Sequence, residues 1–216
     1  MKSNKSADDD NISAEHLQNA LLSVLTRVAS LFNTMLNHSF VPKQFRLGFM
    51  VPTIKDQSGN HSDSSNYREI TISPIISKCF EHCLKHVFFD SLSSSQLQFG
   101  FKKDSSTVHA HHCFKETVNH YINHGSQVFC TFLDASKAFD RFVHSGLFLK
   151  MLERKTPLVF LKIIISWYEG LICRVKWGEN FSPWFAITAG VRQGGVLSPD
   201  FYCLYVDGLL QLLKQL

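Results

Sequence analysis

Apolar residues recur at helical spacing along much of the chain, and the breaks between them divide it into elements. From Ala14 to Asn37, Leu17, Leu21, Val24, Leu25, Val28, Leu31, Phe32, Met35 and Leu36 share one helical face, with Ser13 placed to cap it. Pro42 ends that segment. Leu47 to Ile54 is apolar and strand-like; Pro52 within it predicts an edge position, because proline cannot donate to a ladder. Residues 56–66 are rich in Ser, Asp, Asn and Gly and read as loop. Ile75 to Phe89 predicts a helix with Ile76, Phe80, Cys83, Leu84 and Val87 on one face, and Ser106 to His124 a second, closed by Gly125. Gln127 to Leu133 is β-rich and largely apolar, the pattern of a buried strand. Helices follow over 145–153 and 157–171, then two strands over 174–177 and 184–188 joined through Gly178. A last helix covers 199–213, with Tyr202, Val206, Leu209, Leu210 and Leu213 in phase. This order, with no run of alternating strand and helix units, predicts an α+β fold.

Composition narrows the class. The chain has 216 residues, 44% of them hydrophobic, enough for one domain or two small lobes and too apolar for a disordered chain. A net charge of +4 permits a nucleic-acid partner without demanding one. The six cysteines form no C-x-x-C pair and read as reduced, buried thiols of an intracellular protein, cytoplasmic or nuclear. No apolar run reaches the roughly 18 residues of a membrane span, and the polar residues 1–11 do not resemble a signal peptide.

Two strings carry chemistry. Phe132-Leu133-Asp134-Ala135-Ser136-Lys137-Ala138-Phe139-Asp140 puts a carboxylate at the end of an apolar strand. Gly190-Val191-Arg192-Gln193-Gly194-Gly195-Val196-Leu197-Ser198-Pro199 puts a glycine-rich loop before a helix, where backbone can approach a substrate closely. A lone Asp after a strand is usually a turn residue, and a bare glycine loop usually a tight turn; the full strings and their spacing are far more specific. Together they resemble the catalytic palm of a reverse transcriptase of the non-LTR (LINE-type) retrotransposon kind.

That resemblance implies a right-hand polymerase, here its fingers and a partial palm: a polar tail over 1–13, a fingers-like part over 14–125 and a palm part over 126–216, without a thumb. It implies RNA-directed DNA synthesis, with an RNA template, a DNA primer, deoxynucleoside triphosphates and Mg²⁺ as partners, and no membrane. Asp134 is then a catalytic metal ligand, with the Ala135 carbonyl as a further oxygen. Phe139 is the ring that meets a ribose 2′-hydroxyl, Gln193 and Gly194 lie under the nucleotide, and Arg192 contacts phosphate. Lys55 and Arg68, the latter in Asn66-Tyr67-Arg68-Glu69-Ile70, are the triphosphate clamp, with Glu69 where the family has proline. Gln98-Phe99-Gly100-Phe101-Lys102 resembles a template-contacting segment and implicates Gly100, Lys102 and Lys103.

The family also carries an aromatic-x-Asp-Asp turn with the remaining metal carboxylates. Beyond Asp140 the acids are Glu153, Glu169, Glu179, Asp200 and Asp207, none beside another. Tyr205-Val206-Asp207-Gly208 mimics the turn but lies inside a helical pattern, which makes Asp207 an exposed helix residue. The expectation is therefore a polymerase domain fragment, catalytically incomplete alone. The alternatives are a non-catalytic nucleic-acid-binding remnant, or part of a longer or split active enzyme. His82 and His86, and the cluster at His109, His111, His112 and Cys113, complete no metal pattern and read as helix surface.

Overall fold

The computed structural model describes residues 10–214, so most of the predicted polar tail lies outside the described residues. Eight α-helices are present among them: α1 (Ala14–Gln18), α2 (Leu22–His38), α3 (Lys43–Arg46), α4 (Ile75–Val87), α5 (Thr107–Asn123), α6 (His144–Glu153), α7 (Leu158–Tyr168) and α8 (Ser198–Leu213). The strands are β1 (Leu47–Ile54), β2 (Tyr67–Ile72), β3 (Ile172–Trp177), β4 (Asn180–Phe181) and β5 (Phe185–Ala186). Helix and strand are mixed as the α+β reading expects.

One sheet organises the molecule, in the order β2-β1-β3-β4, with β5 also pairing β3. β1 runs antiparallel to β2 and parallel to β3, with Leu47 opposite Ile172. Pro52 was expected to mark an edge, yet β1 lies inside the sheet. The ladder explains this. β3 pairs only with Leu47–Met50, so Pro52 sits beyond it, with a neighbour on one side alone. β2, which the polar Arg68-Glu69 pair concealed, is paired along its whole length to β1.

Helices pack around α7, which is apolar on nearly every side and buries Phe160, Leu161, Ile163, Ile164, Trp167 and Tyr168. Phe88 stacks on Phe160 at 4.5 Å, and Phe80 on Trp167 at 5.6 Å. The expected first helix is broken at Asn19, whose side-chain amide and backbone N–H both donate back to the Glu15 carbonyl. In α2 only Phe32 and Met35 are buried; Leu21, Leu22 and Leu25 stay exposed.

The largest departure concerns residues 127–133. They form no strand, and Phe129, Phe132 and Leu133 are 90%, 79% and 81% exposed. No described strand lies beside them, so their backbone groups have no ladder to join. α5, just before, likewise buries none of its side chains, although Phe114 meets Phe132 edge-on at 5.5 Å.

The thiols also depart from expectation. Cys173 and Cys203 are buried, but Cys83, Cys113 and Cys130 are exposed. Burial pushes the Cys79 and Cys203 thiols above their ordinary range. The exposed three are therefore expected to react quickly with an aromatic disulfide reagent at neutral pH, and Cys173 and Cys203 only on unfolding. Mass spectrometry of the labelled protein checks this; rapid labelling of Cys173 would contradict the packing. Among the described residues no helix is long and apolar enough to cross a membrane.

Candidate nucleotide site

The two motif strings meet in space. The Gly190 N–H donates to the Phe142 carbonyl at 2.7 Å and the Val191 N–H to that of Phe139 at 2.8 Å. Val143 and Ala189 form a bridge, and His144 Nε2 donates to the Gly190 carbonyl at 2.8 Å. Burial lowers the His144 pKa, with that hydrogen bond opposing it. Gly190 has φ +83°, and a Cβ there would lie 2.8 Å from the Phe139 oxygen and 3.0 Å from the Asp140 Cα. Glycine is what lets the strings touch.

The loop then crosses to the sheet. The Thr71 N–H of β2 donates to the Gln193 carbonyl at 2.7 Å. Gly194, at φ +114°, passes so close that a Cβ would stand 2.8 Å from the Thr71 oxygen. Gln193 turns its side chain the other way, its amide donating to Asp140 Oδ1 at 3.1 Å.

Between β2, the 137–140 segment and Gln193 lies a polar cleft of about 230 Å³. Lys55, Arg68, Phe139 and Gln193 all line it, joined by Glu69, Lys137 and Asp140. Lys137 was not singled out in the sequence; its closeness to the Asp motif was the available signal. The Asp63 carboxyl is held below its usual range first by the Ser65 hydroxyl and N–H, with the charges of Lys137 and Lys55 adding, so the two lysines act on one neighbourhood. Lys55 also donates to the Ser65 carbonyl at 2.8 Å. Phe139 is half-buried, stacked on Tyr202 at 4.8 Å and met edge-on by Phe101 at 5.7 Å. A larger, mainly apolar groove of about 490 Å³ lies alongside, lined by Met50, Pro52, Val175 and Trp177, and shares Tyr67, Glu69, Asp140 and Gln193 with the cleft.

Other expected residues lie elsewhere. Arg192 is 6% exposed, and its guanidinium donates to the Phe45 carbonyl at 3.3 Å and approaches that of Leu47 at 3.5 Å, so its charge is used inside the fold. Lys102 donates to the backbone of Ser94 and Ser95, whereas Lys103 is exposed. Gly100 offers its carbonyl to the Cys203 thiol at 3.6 Å. Asp134 and Ala135 are exposed on the irregular 127–136 stretch and do not line the cleft. Among the described residues no three His, Cys, Asp or Glu side chains stand together as a metal would need. The residues described therefore do not fit a closed metal centre.

Asp207 is a correction. It is 1% exposed rather than on the surface, and it accepts from the Ser95 N–H at 2.6 Å, from Gln211 Nε2 at 2.7 Å and from the Arg154 guanidinium. Two buried acids were thus missed, Asp207 and Glu81. For Glu81 the signal was an acid four residues after Ser77 and three before Leu84, on a stripe that faces the core.

Comparison with known proteins agrees with the strings. Residues 54–216 match the model of the reverse transcriptase (RNA-dependent DNA polymerase) family. The chain is 32% identical over 204 residues to a probable RNA-directed DNA polymerase from transposon X-element of Drosophila melanogaster, covering 89% of this chain and 22% of that protein. It is 26% identical over 209 residues to the corresponding protein of transposon BS, covering 95% and 23%, and 25% identical over 186 residues to the RNA-directed DNA polymerase from mobile element jockey, covering 84% and 20%, both of the same fly. The chain thus spans about a fifth of the length of these relatives. With its two motif strings joined around one cleft and three quarters of its length matched, this chain belongs to the reverse transcriptase family, in its LINE-type, non-LTR retrotransposon branch.

Proposed function

We propose that this chain forms the fingers (14–125) and part of the palm (126–216) of an RNA-directed DNA polymerase, and that the polar cleft receives a deoxynucleoside triphosphate. The observation that carries this is the convergence of Lys55, Arg68, Phe139 and Gln193 on one cleft from four separate parts of the chain. Lys55, Arg68 and Lys137 supply positive charge for a triphosphate, the electrostatic stabilisation phosphoryl transfer depends on. Phe139 presents its ring edge to the sugar, and Gln193 lies beneath the nucleotide. The adjoining apolar groove suits the flat face of a base of the RNA template. Gly100 and Lys103 lie toward the template path, and Lys102 and Arg192 support the site through backbone contacts.

Nucleotidyl transfer uses two divalent ions held by carboxylates. Asp134 is the carboxylate we assign to such an ion, Mg²⁺. Assayed as these 216 residues, the chain offers Asp134 without a cluster of further acids around it, and no primer extension is expected. Mg²⁺-dependent extension that Asp134→Ala abolishes would overturn this.

Nucleotide binding tests the cleft directly. Isothermal titration with dTTP is expected to show binding that weakens with salt, as screened charge contacts must. Arg68→Ala and Gln193→Ala should each weaken it by roughly tenfold, and Phe139→Ala should narrow the preference for dTTP over UTP. A chain that binds no nucleotide, or variants that bind as well as the parent, would sink the reading.

A further inference from the structure

Glu81 belongs to α4, on the fingers side, yet its carboxylate reaches the far side of the glycine loop. It is 6% exposed, and its Oε2 accepts the Leu197 N–H at 2.9 Å and the Val196 N–H beside it. These two donors immediately precede α8, whose N-cap residue, Leu197, has no side chain able to cap. A helix start leaves backbone N–H groups without partners and favours a negative charge. Glu81 supplies an acceptor there from another element 115 residues away.

The same loop is held at its other end. Arg192 is fixed to the backbone just ahead of β1 through the Phe45 carbonyl. Burial pushes the Glu81 carboxyl above its ordinary range, and the Leu197 N–H, the Arg192 charge and the Val196 N–H oppose that rise. Gly195 is fitted between, since a Cβ there would stand 2.5 Å from Ser198 Oγ. Gln193 and Gly194 lie inside the span that these anchors define. Moving residues 196–197 therefore moves Gln193 relative to Thr71 and Asp140, the two groups it bonds in the cleft.

We propose that Glu81 is a positioning residue for the nucleotide site: it sets the place of the Gln193 loop by accepting the Val196 and Leu197 N–H groups. This rests on the cleft being a nucleotide site. A residue acting only through stability would lower the melting temperature and spare the affinity, so a second variant on the same helix separates the two. Leu84 is buried and lines a pocket with Phe32 and Leu36 of α2, so Leu84→Ala enlarges a cavity on that side of α4.

The experiment measures dTTP affinity, melting temperature and residue-resolved amide exchange for the 216-residue parent, Glu81→Gln and Leu84→Ala, below all three transitions. Glu81→Gln is expected to weaken dTTP by roughly tenfold and to speed exchange at Val196 and Leu197. Leu84→Ala should melt earlier and keep the parent's affinity within about twofold. Unchanged affinity in Glu81→Gln, or an equal loss in both variants, would overturn the proposal. If the parent binds no dTTP, the nucleotide reading fails by itself and exchange decides the positioning role: faster exchange confined to 193–198 in Glu81→Gln upholds it, and its absence overturns it. Should Glu81→Gln not fold, Glu81→Asp, which keeps the charge and shortens the reach, is read by the same criteria.

Discussion

Asp207→Ala is expected to destabilise the protein by about 3–5 kcal/mol, the range for breaking a buried ion pair by removing one partner. Asp207 is almost wholly buried and takes three donors: the Ser95 N–H, the Gln211 amide and the Arg154 guanidinium. Alanine leaves all three facing a hole. Arg154, whose side chain is about a quarter exposed, keeps its bond to the Ser93 carbonyl but loses its ion pair. Urea unfolding of parent and variant gives the difference, and the melting temperature should fall by roughly ten degrees for a chain of this size. Asp207→Asn keeps an acceptor and should cost less. A loss below about 1 kcal/mol for the alanine variant would mean that Asp207 is not buried as described.

This prediction also separates two uses of an acid. Tyr205-Val206-Asp207 imitates a metal-binding turn, and a ligand carboxylate is normally stabilised by its metal. Here the carboxylate is neutralised by an arginine and ties α8 to the chain before α5 and to the end of α6. Its work is to brace the helix that follows the Gln193 loop.

What the sequence made legible follows from how local the signals are. α4, α5, α6 and α8 begin and end close to where their periodicity, Gly125 and Pro199 place them. The two motif strings are dense enough to identify the family without any contact being known. What was hidden depends on partners. The pairing of β1 with β3 joins residues about 125 apart, which no periodicity encodes. Residues 127–133 have a strand's composition, but composition does not supply a neighbouring strand. On α8 the phase read from Tyr202, Val206, Leu209 and Leu213 picks the wrong stripe. The buried face is Ser198, Phe201, Leu204 and Asp207, because that side meets α6 and the 93–95 chain while Leu209 and Leu213 remain exposed. Asp207 was read as surface for the same reason, and Glu81, whose partners at 196–197 are equally distant in sequence, drew no reading at all.

Gly190→Ala is the substitution expected to damage stability and site together. The new Cβ would stand 2.8 Å from the Phe139 oxygen and 3.0 Å from both the Asp140 Cα and its oxygen, and all three are backbone atoms that cannot rotate aside. The φ of +83° adds the ordinary strain of a left-handed alanine. Together these should cost about 2–4 kcal/mol. Gly178→Ala supplies the reference: its φ of +59° carries similar strain, but a Cβ there meets nothing within 4 Å, so about 1 kcal/mol is expected. The difference between the two isolates the close approach of the motif strings. Relief can come only by drawing 189–191 away from 139–142, which lengthens the Val191–Phe139 and Gly190–Phe142 bonds and separates Gln193 from Asp140. Affinity for dTTP should therefore fall in Gly190→Ala and stay at the parent's value in Gly178→Ala. Equal unfolding energies for the two variants would show that the strings do not meet as closely as they do here, and the cleft built at their junction would lose its foundation.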